Sequence, residues 1–261
     1  MADTIVHFIG AGPGDAELIT VKGARLLREA DVVVYAGSLV DRELVNIHAP
    51  DAEVWDSAGM NLEETTRVLA AAVAEGKRAV RLHTGDPAIY GAIQEQMAEL
   101  DRLGIGYAVV PGVSSAFAAA AALRQELTLP EVTQTVILTR LAGRTPVPER
   151  ERLAKIAEIG ATMVIYLSVG MIEQVVDELL QGAYNRETPV AVVAKATWPD
   201  EEILHGTLAD IAGKVTEAGI GKQALIIVGD VLSARERGLA ALSKLYDKGF
   251  SHGCRERRII T

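Results

Sequence analysis

Short apolar runs alternate with segments of helical periodicity through the first half of the chain. Segments with apolar residues three and four apart, typical of amphipathic helices, are residues 17–30, 62–75 and 88–103. The β-branched runs around them, which predict buried strands, are residues 5–9, 31–35, 52–55, 78–82 and 106–110. This alternation predicts a parallel sheet with helices on its faces. Asn61, followed by Glu64, predicts a capping box at the second helix.

The second half of the chain predicts a mixed sheet. The alanine-rich residues 116–122 predict a tightly packed helix, and residues 124–134 a connector. Further strands are predicted at residues 135–138, 162–167, 189–194, 203–208 and 224–231, with 203–208 as a hairpin element. We therefore predict an α/β protein of two domains, residues 1–125 with a parallel sheet and residues 126–261 with a mixed sheet.

Composition restricts the class of protein. The 261 residues are 49% hydrophobic, which is enough for one large or two ordinary cores. The chain has no run of about 18 uncharged apolar residues and no basic N-terminal region before an apolar core, so we expect a cytoplasmic protein without a membrane partner. The formal net charge of −9 disfavours nucleic acid as the main partner, because phosphate contacts need a basic face.

The one cysteine, Cys254, lies in a polar C-terminal stretch and has no second cysteine for an internal disulfide. His252 lies nearby, but two side chains do not make a metal site. We expect this stretch to be a flexible tail and expect no metal in the protein's own chemistry.

The turn at residues 10–15 follows the first strand and is the strongest local signal. A dinucleotide loop needs glycine at its first, third and sixth positions, and here Gly10 and Gly12 are followed by Asp15 at the sixth. Pro13 also removes one N–H donor from the turn. The pattern favours a ligand without phosphate. Two alternatives stay open: a dinucleotide loop with Asp31 as the ribose-binding acid, and an ordinary turn with Asp15 as a helix cap.

Five predicted strand ends combine small residues with a special turn, at residues 10–15, 36–38, 84–87, 111–115 and 194–199. The carboxyl ends of parallel strands form the ligand crevice of open α/β sheets. Small residues there allow a ligand to approach the backbone. The repetition predicts a binding site built from these ends.

The residues around Asp86 have both a structural and a functional interpretation. Pro87 is expected at the first helical position, so that Asp86 is either the helix cap or a carboxylate facing a ligand cation or N–H group. His83 is expected to be a satisfied strand-end histidine rather than a base. Ser114 or Ser115 is expected to cap the next helix, a geometry that also offers backbone donors to a ligand carboxylate.

Residues 139–149 combine Arg140 and Arg144 with a glycine and two prolines directly after a strand. Arginine binds carboxylates through a planar pair of N–H donors. The segment therefore predicts a loop that holds an anionic ligand, with a solvated surface loop as the alternative.

Six segments in order along residues 5–231 resemble the tetrapyrrole methylases: GAGPGD, VVVYAGSLV, HTGDPAIYGAI, PGVSS, VAVVAKATWPDEEILHGTL and ALIIVGDV. The resemblance implies two α/β domains, an active site in the cleft between them, and a homodimer. It also implies S-adenosylmethionine as co-substrate, with S-adenosylhomocysteine as product.

Residues 35–40 and 139–149 are similar to the branch of this family that methylates precorrin-4 or cobalt-precorrin-4, both anionic tetrapyrroles, at carbon 11 in cobalamin synthesis. Relatives that act on uroporphyrinogen III carry an acid and a basic residue after the second strand. Here Ala36, Gly37 and Ser38 occupy that place. This departure favours the later step, with methylation at another position of the ring as the alternative and the metal of the substrate left open.

The resemblance implies a set of site residues. Its cofactor positions fall on Pro13, Thr84, Gly85, Asp86, Ile89, Ser114, Ser115, Leu167, Ala196 and Ala224. Its substrate positions fall on Tyr35, Ser38, Arg140, Arg144 and Thr145. Leu167 replaces a methionine that is common in the family.

Methyl transfer to an electron-rich ring carbon needs alignment and exclusion of water more than a strong base. Asp86 and Arg144 are expected to take part directly, Arg144 together with Arg140 by holding ring carboxylates. Asp86, or a backbone carbonyl, is expected to orient a pyrrole N–H or accept the released proton. The competing hypotheses are an NAD-dependent oxidoreductase and a non-catalytic tetrapyrrole carrier.

Overall fold

The computed structural model of the chain describes residues 4–234, 238, 241–244 and 250–251. It divides into two compact units, which we call the first unit (Met1–Ala119 with Lys195–Glu201) and the second unit (Ala120–Ala194 with Glu202–Thr261). The expected domains, residues 1–125 and 126–261, do not include a segment near residue 195 that goes back to the first unit. These limits stay a prediction. Cys254 and His252 lie outside the described residues.

The first unit contains a five-stranded sheet in the order β3-β2-β4-β1-β5, with every neighbouring pair parallel. Its strands are β1 Val6–Gly10, β2 Val32–Tyr35, β3 Glu53–Asp56, β4 Ala79–His83 and β5 Tyr107–Val110. The predicted parallel sheet is confirmed. The chain leaves the two central strands, β1 and β4, toward opposite edges of the sheet, which is the arrangement that opens a crevice at their carboxyl ends.

The helices of the first half are α1 Val21–Arg28, α2 Arg42–His48, α3 Leu62–Ala74, α4 Ile93–Arg102 and α5 Ser115–Ala122. The capping box at α3 is confirmed, since Asn61 and Glu64 each accept the other's backbone N–H at 2.9 Å. The prediction of one helix over residues 17–30 is wrong. Thr20 is extended and caps α1 by accepting from Gly23, so only a single 3₁₀ turn, Ala16–Leu18, precedes it.

The start of α4 also differs from the prediction. The helix begins at Ile93 instead of residue 88, so Pro87 is not its first residue. Tyr90 and Ala92 have left-handed backbone conformations, with φ of 55° and 48°, which a right-handed helix excludes. Residues 88–92 therefore form a loop after the β4 strand end.

Packing on both faces of the first sheet follows the alternation of side chains along its strands. On one face Ile9 and Leu82 pack beneath α1 and α2, and on the other Phe8 packs with Leu69 of α3 and Leu100 of α4. Burial on both faces explains why the strands are continuous apolar runs.

The second unit contains a mixed sheet in the order β6-β7-β10-β8-β9. Its strands are β6 Val136–Arg140, β7 Thr162–Tyr166, β8 Pro189–Ala194, β9 Glu202–Thr207 and β10 Ala224–Val228, and its helices are α6 Leu153–Ile156, α7 Ile172–Leu179 and α8 Ile211–Glu217. Only β6 and β7 pair in parallel. The mixed sheet and its hairpin element β9 are therefore confirmed.

The core of the second unit lies between its sheet and its helices. Met163 and Ile226 of the sheet pack with Leu179 of α7 and Ile211 of α8, all four fully buried. Among the described residues, no helix is both long and apolar enough to cross a membrane.

Candidate active site

The carboxyl ends of β1 and β4 are joined through their backbones. Ala11 donates its N–H to the His83 carbonyl at 2.7 Å, and Gly85 donates to the Gly12 carbonyl at 2.8 Å. Gly12 donates in return to Gly85 at 3.3 Å. Both glycines have left-handed φ, 82° and 57°, which only glycine adopts without strain. The two central strand ends thus form one fixed surface.

Gly112, after β5, brings a third strand end to the same place. A Cβ on Gly10 would lie 2.5 Å from the Gly85 carbonyl oxygen and 2.6 Å from the Gly112 Cα. Backbone meets backbone here without any side chain between. The structure therefore brings together three of the five predicted strand ends, as the sequence pattern indicates.

Asp86 ties these strand ends together. Its Oδ1 accepts the Ala88 N–H at 2.8 Å, and its Oδ2 accepts the Gly112 N–H at 3.0 Å. Asp86 is thus not a cap of α4, which begins at Ile93. Its half-buried carboxylate therefore lies where the ends of β1, β4 and β5 meet.

The turn at residues 10–15 offers little to a phosphate. Of its four N–H groups after Gly10, those of Ala11 and Gly12 are used by β4, and that of Asp15 donates to Thr197 Oγ1 at 3.0 Å. The Asp15 carboxylate accepts from Glu17 and caps the 3₁₀ turn. A pyrophosphate needs such N–H donors free, so the geometry disfavours a dinucleotide loop.

The position of Asp31 excludes it as the ribose-binding acid of a dinucleotide site. It precedes β2 and therefore lies at the amino end of the sheet, whereas residues 10–15 lie at the carboxyl end. Its carboxylate accepts from the Arg78 side chain at 3.2 Å and from the Arg78 N–H at 2.8 Å. This hydrogen-bonded pair holds the pKa of Asp31 below its usual value. Asp31 is thus not placed to bind a ribose beside the turn.

A buried polar network supports the loop after Asp86. Arg81, 8% exposed, donates to Gln96 Oε1 at 3.0 Å and to Ser57 Oγ at 2.9 Å. Gln96 in turn donates to the Ala92 carbonyl at 3.1 Å. Burial lowers the pKa of Arg81 to about 10. The network fixes the left-handed end of the loop that carries exposed Ile89, while half-buried Thr84 directly follows β4.

His83, the last residue of β4, is not a candidate base. Burial, and then the charge of Arg81, lower its pKa to about 3, so the ring is neutral at pH 7. Its Nε2 has no hydrogen-bond partner within the part of the chain that the structure describes. The expectation of a satisfied histidine is therefore wrong for this atom, although the ring does stack on Phe8.

Ser114 and Ser115 lie where β5 leads into α5. Ser114 is buried and its hydroxyl lies 3.4 Å from the Ala116 N–H, at the edge of hydrogen-bonding distance. Ser115 is the first residue of α5. Of the two serines expected to cap this helix, Ser114 is the one that precedes its first residue and whose hydroxyl faces an N–H of its first turn.

The fifth predicted strand end, residues 194–199, lies in the segment Lys195–Glu201, which belongs to the first unit although it connects β8 to β9. The sequence predicted a turn of the site here, but not its place in the first unit. Lys195 and Thr197 have left-handed φ of 49° and 70° on either side of buried Ala196. Trp198 donates its indole N–H to the Pro13 carbonyl at 2.9 Å. The only local signal was the run of small and special residues in the motif itself.

Three predicted site residues of the second unit lie at the same end of neighbouring strands in its sheet. Arg140 is the last residue of β6, Leu167 follows β7, and Ala224 begins the antiparallel strand β10. Leu167 has a left-handed φ of 54° and is 66% exposed. A large apolar side chain held in a strained conformation at a strand end is typical of a binding position.

The two arginines after β6 differ in their surroundings. Arg140 donates to the carbonyls of Leu141 at 3.3 Å, Thr145 at 3.0 Å and Pro146 at 2.7 Å, and so closes its own loop. Arg144 is exposed at the tip of that loop and makes no hydrogen bond or ion pair with any described residue. Exposed Thr145 lies beside it, so Arg144 is the cation of this loop that is available to a ligand.

Tyr35 and Ser38 lie around the end of β2. Tyr35 is 4% exposed and packs in the core with Val33, while Ser38 is exposed. Between them, Gly37 donates to Asp56 Oδ1 at 3.1 Å. The substrate contact expected of Tyr35 stays a prediction, and its burial restricts that contact to the small exposed part of the residue.

Among the described residues, no cluster of three or more histidine, cysteine, aspartate or glutamate side chains is arranged to hold a metal ion. In the first unit the candidate positions are the backbone turns and the Asp86 carboxylate, and in the second unit they include the exposed Arg144 guanidinium.

Comparison with known proteins identifies this combination of fold and turns. The family of tetrapyrrole (corrin/porphyrin) methylases matches residues 5–212. The chain is 57% identical to the cobalt-precorrin-4 C(11)-methyltransferase of Methanocaldococcus jannaschii over 251 residues, 96% of each chain. The X-ray structure of a cobalt precorrin-4 methyltransferase, a cobalamin biosynthetic enzyme, matches with TM-score 0.86 and 51% identity, covering 88% of this chain and 97% of that chain.

A second solved structure contains a bound product of methyl transfer. Uroporphyrin-III C-methyl transferase from Thermus thermophilus, in complex with S-adenosylhomocysteine, matches with TM-score 0.73 and 31% identity. The match covers 87% of this chain and 93% of that chain.

Proposed function

Because the chain belongs to the tetrapyrrole (corrin/porphyrin) methylases, we propose that it methylates carbon 11 of cobalt-precorrin-4 or precorrin-4, with S-adenosylmethionine as the methyl donor. The observation that carries this proposal is the 57% identity, over 96% of both chains, to a C(11)-methyltransferase. The family predicted from the six ordered segments is thereby confirmed.

The strand ends of the first unit fit S-adenosylmethionine, which has no phosphate. The backbones of Gly10, Gly85 and Gly112 pack directly on one another, so the strand ends present backbone atoms to a ligand, and three of the four N–H groups that a phosphate would need are already used. The cofactor supplies an electrophilic methyl group on a sulfonium and leaves as S-adenosylhomocysteine. The proposed contacts in the first unit are Pro13, Thr84, Gly85, Asp86, Ile89, Ser114, Ser115 and Ala196, and those in the second unit are Leu167 and Ala224.

Asp86 is proposed to act through its position and charge. Both of its oxygens already accept backbone N–H groups, of Ala88 and Gly112, which fixes the carboxylate relative to the three strand ends. From there it favours a cationic ligand group or orients a pyrrole N–H. We assign no single base, because the attacking ring carbon is already electron-rich through its conjugated pyrrole nitrogen.

Arg144 is proposed to bind an acetate or propionate of the ring. It is exposed and without a partner among the described residues, and its guanidinium is suited to bidentate carboxylate binding. Arg140 supports it by holding the loop through three carbonyls, with Thr145 in the same loop. Tyr35 and Ser38 remain the proposed substrate positions of the first unit.

The test is incubation of the purified protein with S-adenosylmethionine and, in separate reactions, cobalt-precorrin-4, precorrin-4 and uroporphyrinogen III. We expect one added methyl, seen by mass spectrometry, on one or both of the first two substrates and none on the third. Methylation of uroporphyrinogen III alone would move the proposal to an earlier step of the pathway. NADH binding without S-adenosylmethionine binding would indicate an oxidoreductase.

We also propose that the protein is cytoplasmic and that it is a homodimer, as the family resemblance implies. Large exposed apolar side chains, among them Val21 at 88% and Phe117 at 61% exposure, are compatible with burial against a second chain. Light scattering should give twice the chain mass of 27.8 kDa, and a mass of one chain would contradict the dimer. Cell fractionation tests the compartment.

A further inference from the structure

Two side chains of the segment Lys195–Glu201 hold the turn at residues 13–15 from outside. The Trp198 indole N–H donates to the Pro13 carbonyl at 2.9 Å, and the Thr197 hydroxyl accepts the Asp15 N–H at 3.0 Å. The indole donor and the hydroxyl acceptor thus contact the turn on both sides of Gly14.

Gly14 itself shows how close this contact is. A Cβ there would collide with Trp198 Cδ1, would lie 2.5 Å from its Nε1, and would lie 3.0 Å from Thr197 Oγ1. Its φ is not among the left-handed values of the chain, so its backbone conformation does not demand glycine. Glycine is required here because the Trp198 indole, and less closely the Thr197 hydroxyl, occupy the space of a side chain.

The segment is rigidly held in an otherwise strained form. Thr197 has a φ of 70°, an outlier for a β-branched residue. Its N–H donates to Glu201 Oε2 at 2.7 Å, the Trp198 N–H donates to the Lys195 carbonyl at 2.9 Å, and Lys195 forms an ion pair with Asp200. Such strain persists only where surrounding contacts determine the conformation, and it is common at ligand clamps.

We propose that Trp198 and Thr197 are positioning residues for S-adenosylmethionine, which fix Pro13 and Ala196 in the geometry that binds the cofactor. The inference rests on the proposed function and deepens it. Neither side chain is assigned a contact with the reacting atoms. Their effect is transmitted through the Pro13 carbonyl and through the backbone on either side of Ala196.

The first test removes the indole donor while keeping an aromatic ring. Trp198→Phe should raise the Kd of S-adenosylhomocysteine, measured by calorimetry, about fivefold, the factor for one lost hydrogen bond. The KM of the tetrapyrrole and the melting temperature, within about 3 °C, should stay unchanged. Trp55→Phe is the matched control, because it removes an equivalent indole hydrogen bond, to Glu53 at 3.0 Å, on the edge strand β3. An unchanged Kd in Trp198→Phe, or an equal rise in the tetrapyrrole KM, would overturn the proposal.

Thr197 is tested by conservative rescue. Thr197→Val removes the acceptor of the Asp15 N–H and should raise the same Kd about fivefold, whereas Thr197→Ser keeps it and should stay within twofold of the wild type. Equal effects of the two substitutions would contradict a role for the hydroxyl.

A double-mutant cycle tests the contact independently of folding yield. Gly14→Ala should weaken binding at least tenfold in the wild type but less than twofold in the Trp198→Ala background, where the space is free. Additive effects would show that the indole does not restrict residue 14. If the wild type binds no S-adenosylhomocysteine, the proposed function fails, and the same cycle read by thermal unfolding still decides whether the contact exists.

Discussion

The ends of β1, β4 and β5 lie in backbone contact at Gly10, Gly85 and Gly112, which we call the crossing of three strand ends. This contact gives a sharp prediction for Gly10→Ala. The new Cβ would lie 2.5 Å from the Gly85 oxygen and within 2.7 Å of the Gly112 nitrogen and Cα, all backbone atoms that cannot rotate away. Ordinary contact begins near 3.4 Å, so one strand end must move by about 0.9 Å.

The cost of that movement follows from the bonds it disturbs. Overpacking a tight site costs about 1–3 kcal/mol. The shift also weakens the Gly12–Gly85 pair and the bond from Gly112 to Asp86, at about 0.5–1.5 kcal/mol each. Because these hydrogen bonds are weakened and not fully lost, we expect a loss of about 2–5 kcal/mol in the free energy of unfolding of the first unit and a large loss of S-adenosylhomocysteine affinity.

Urea unfolding followed by tryptophan fluorescence is a suitable assay, because both tryptophans, Trp55 and Trp198, belong to the first unit. Gly59→Ala is the matched control, since a Cβ there meets nothing within 4 Å and its φ is not left-handed. The control should change stability by no more than about 0.5 kcal/mol. If Gly10→Ala were no less stable than Gly59→Ala, the account of the crossing would be refuted.

Three further predictions concern charge and strain. Burial and the Arg81 charge lower the pKa of His83 in the folded chain to about 3, below its value of about 6.5 in the unfolded chain. Between these two values the unfolded chain binds the extra proton, so the free energy of unfolding falls as the pH drops below about 6.5. Between pH 7 and 5 the wild type should therefore lose about 2 kcal/mol more than His83→Phe in urea unfolding, and exposed His205→Gln should follow the wild type. Arg144→Ala should raise the tetrapyrrole KM at least tenfold and leave the Kd of S-adenosylhomocysteine unchanged. Arg140→Ala should in addition lower the melting temperature. Equal losses of affinity for both ligands in Arg144→Ala would contradict the assignment of this loop to the substrate. Leu167→Gly should raise stability by up to about 1 kcal/mol by relieving its left-handed strain, yet weaken S-adenosylhomocysteine binding in calorimetry; tighter binding would remove Leu167 from the site.

The sheet and its turns were predictable because their causes are local. Apolar runs buried on both faces identify the parallel strands, and the pair Asn61 and Glu64 identifies the start of α3. The small residues at 10, 85 and 112 were recognisable as strand ends, and the lack of phosphate chemistry followed from Pro13 and Asp15.

Features that depend on distant contacts were not predictable. Helical periodicity continues through residues 88–92, but Arg81 and Gln96 fix the Ala92 carbonyl in a loop that no local pattern shows. Trp198 contacts Pro13 across 185 positions of sequence. The hydrogen bonds that Arg140 donates to the carbonyls of its own loop are another feature that the local sequence does not show.

The most direct test of the central claim is to locate the transferred methyl group. The purified protein is incubated with S-adenosylmethionine labelled with carbon-13 in its methyl group and with enzymatically prepared cobalt-precorrin-4 or precorrin-4, and the product is examined by NMR. One labelled methyl bonded to carbon 11 is the predicted result. A labelled methyl on any other ring position, or cofactor binding without transfer to either substrate, would contradict the assignment of the reaction.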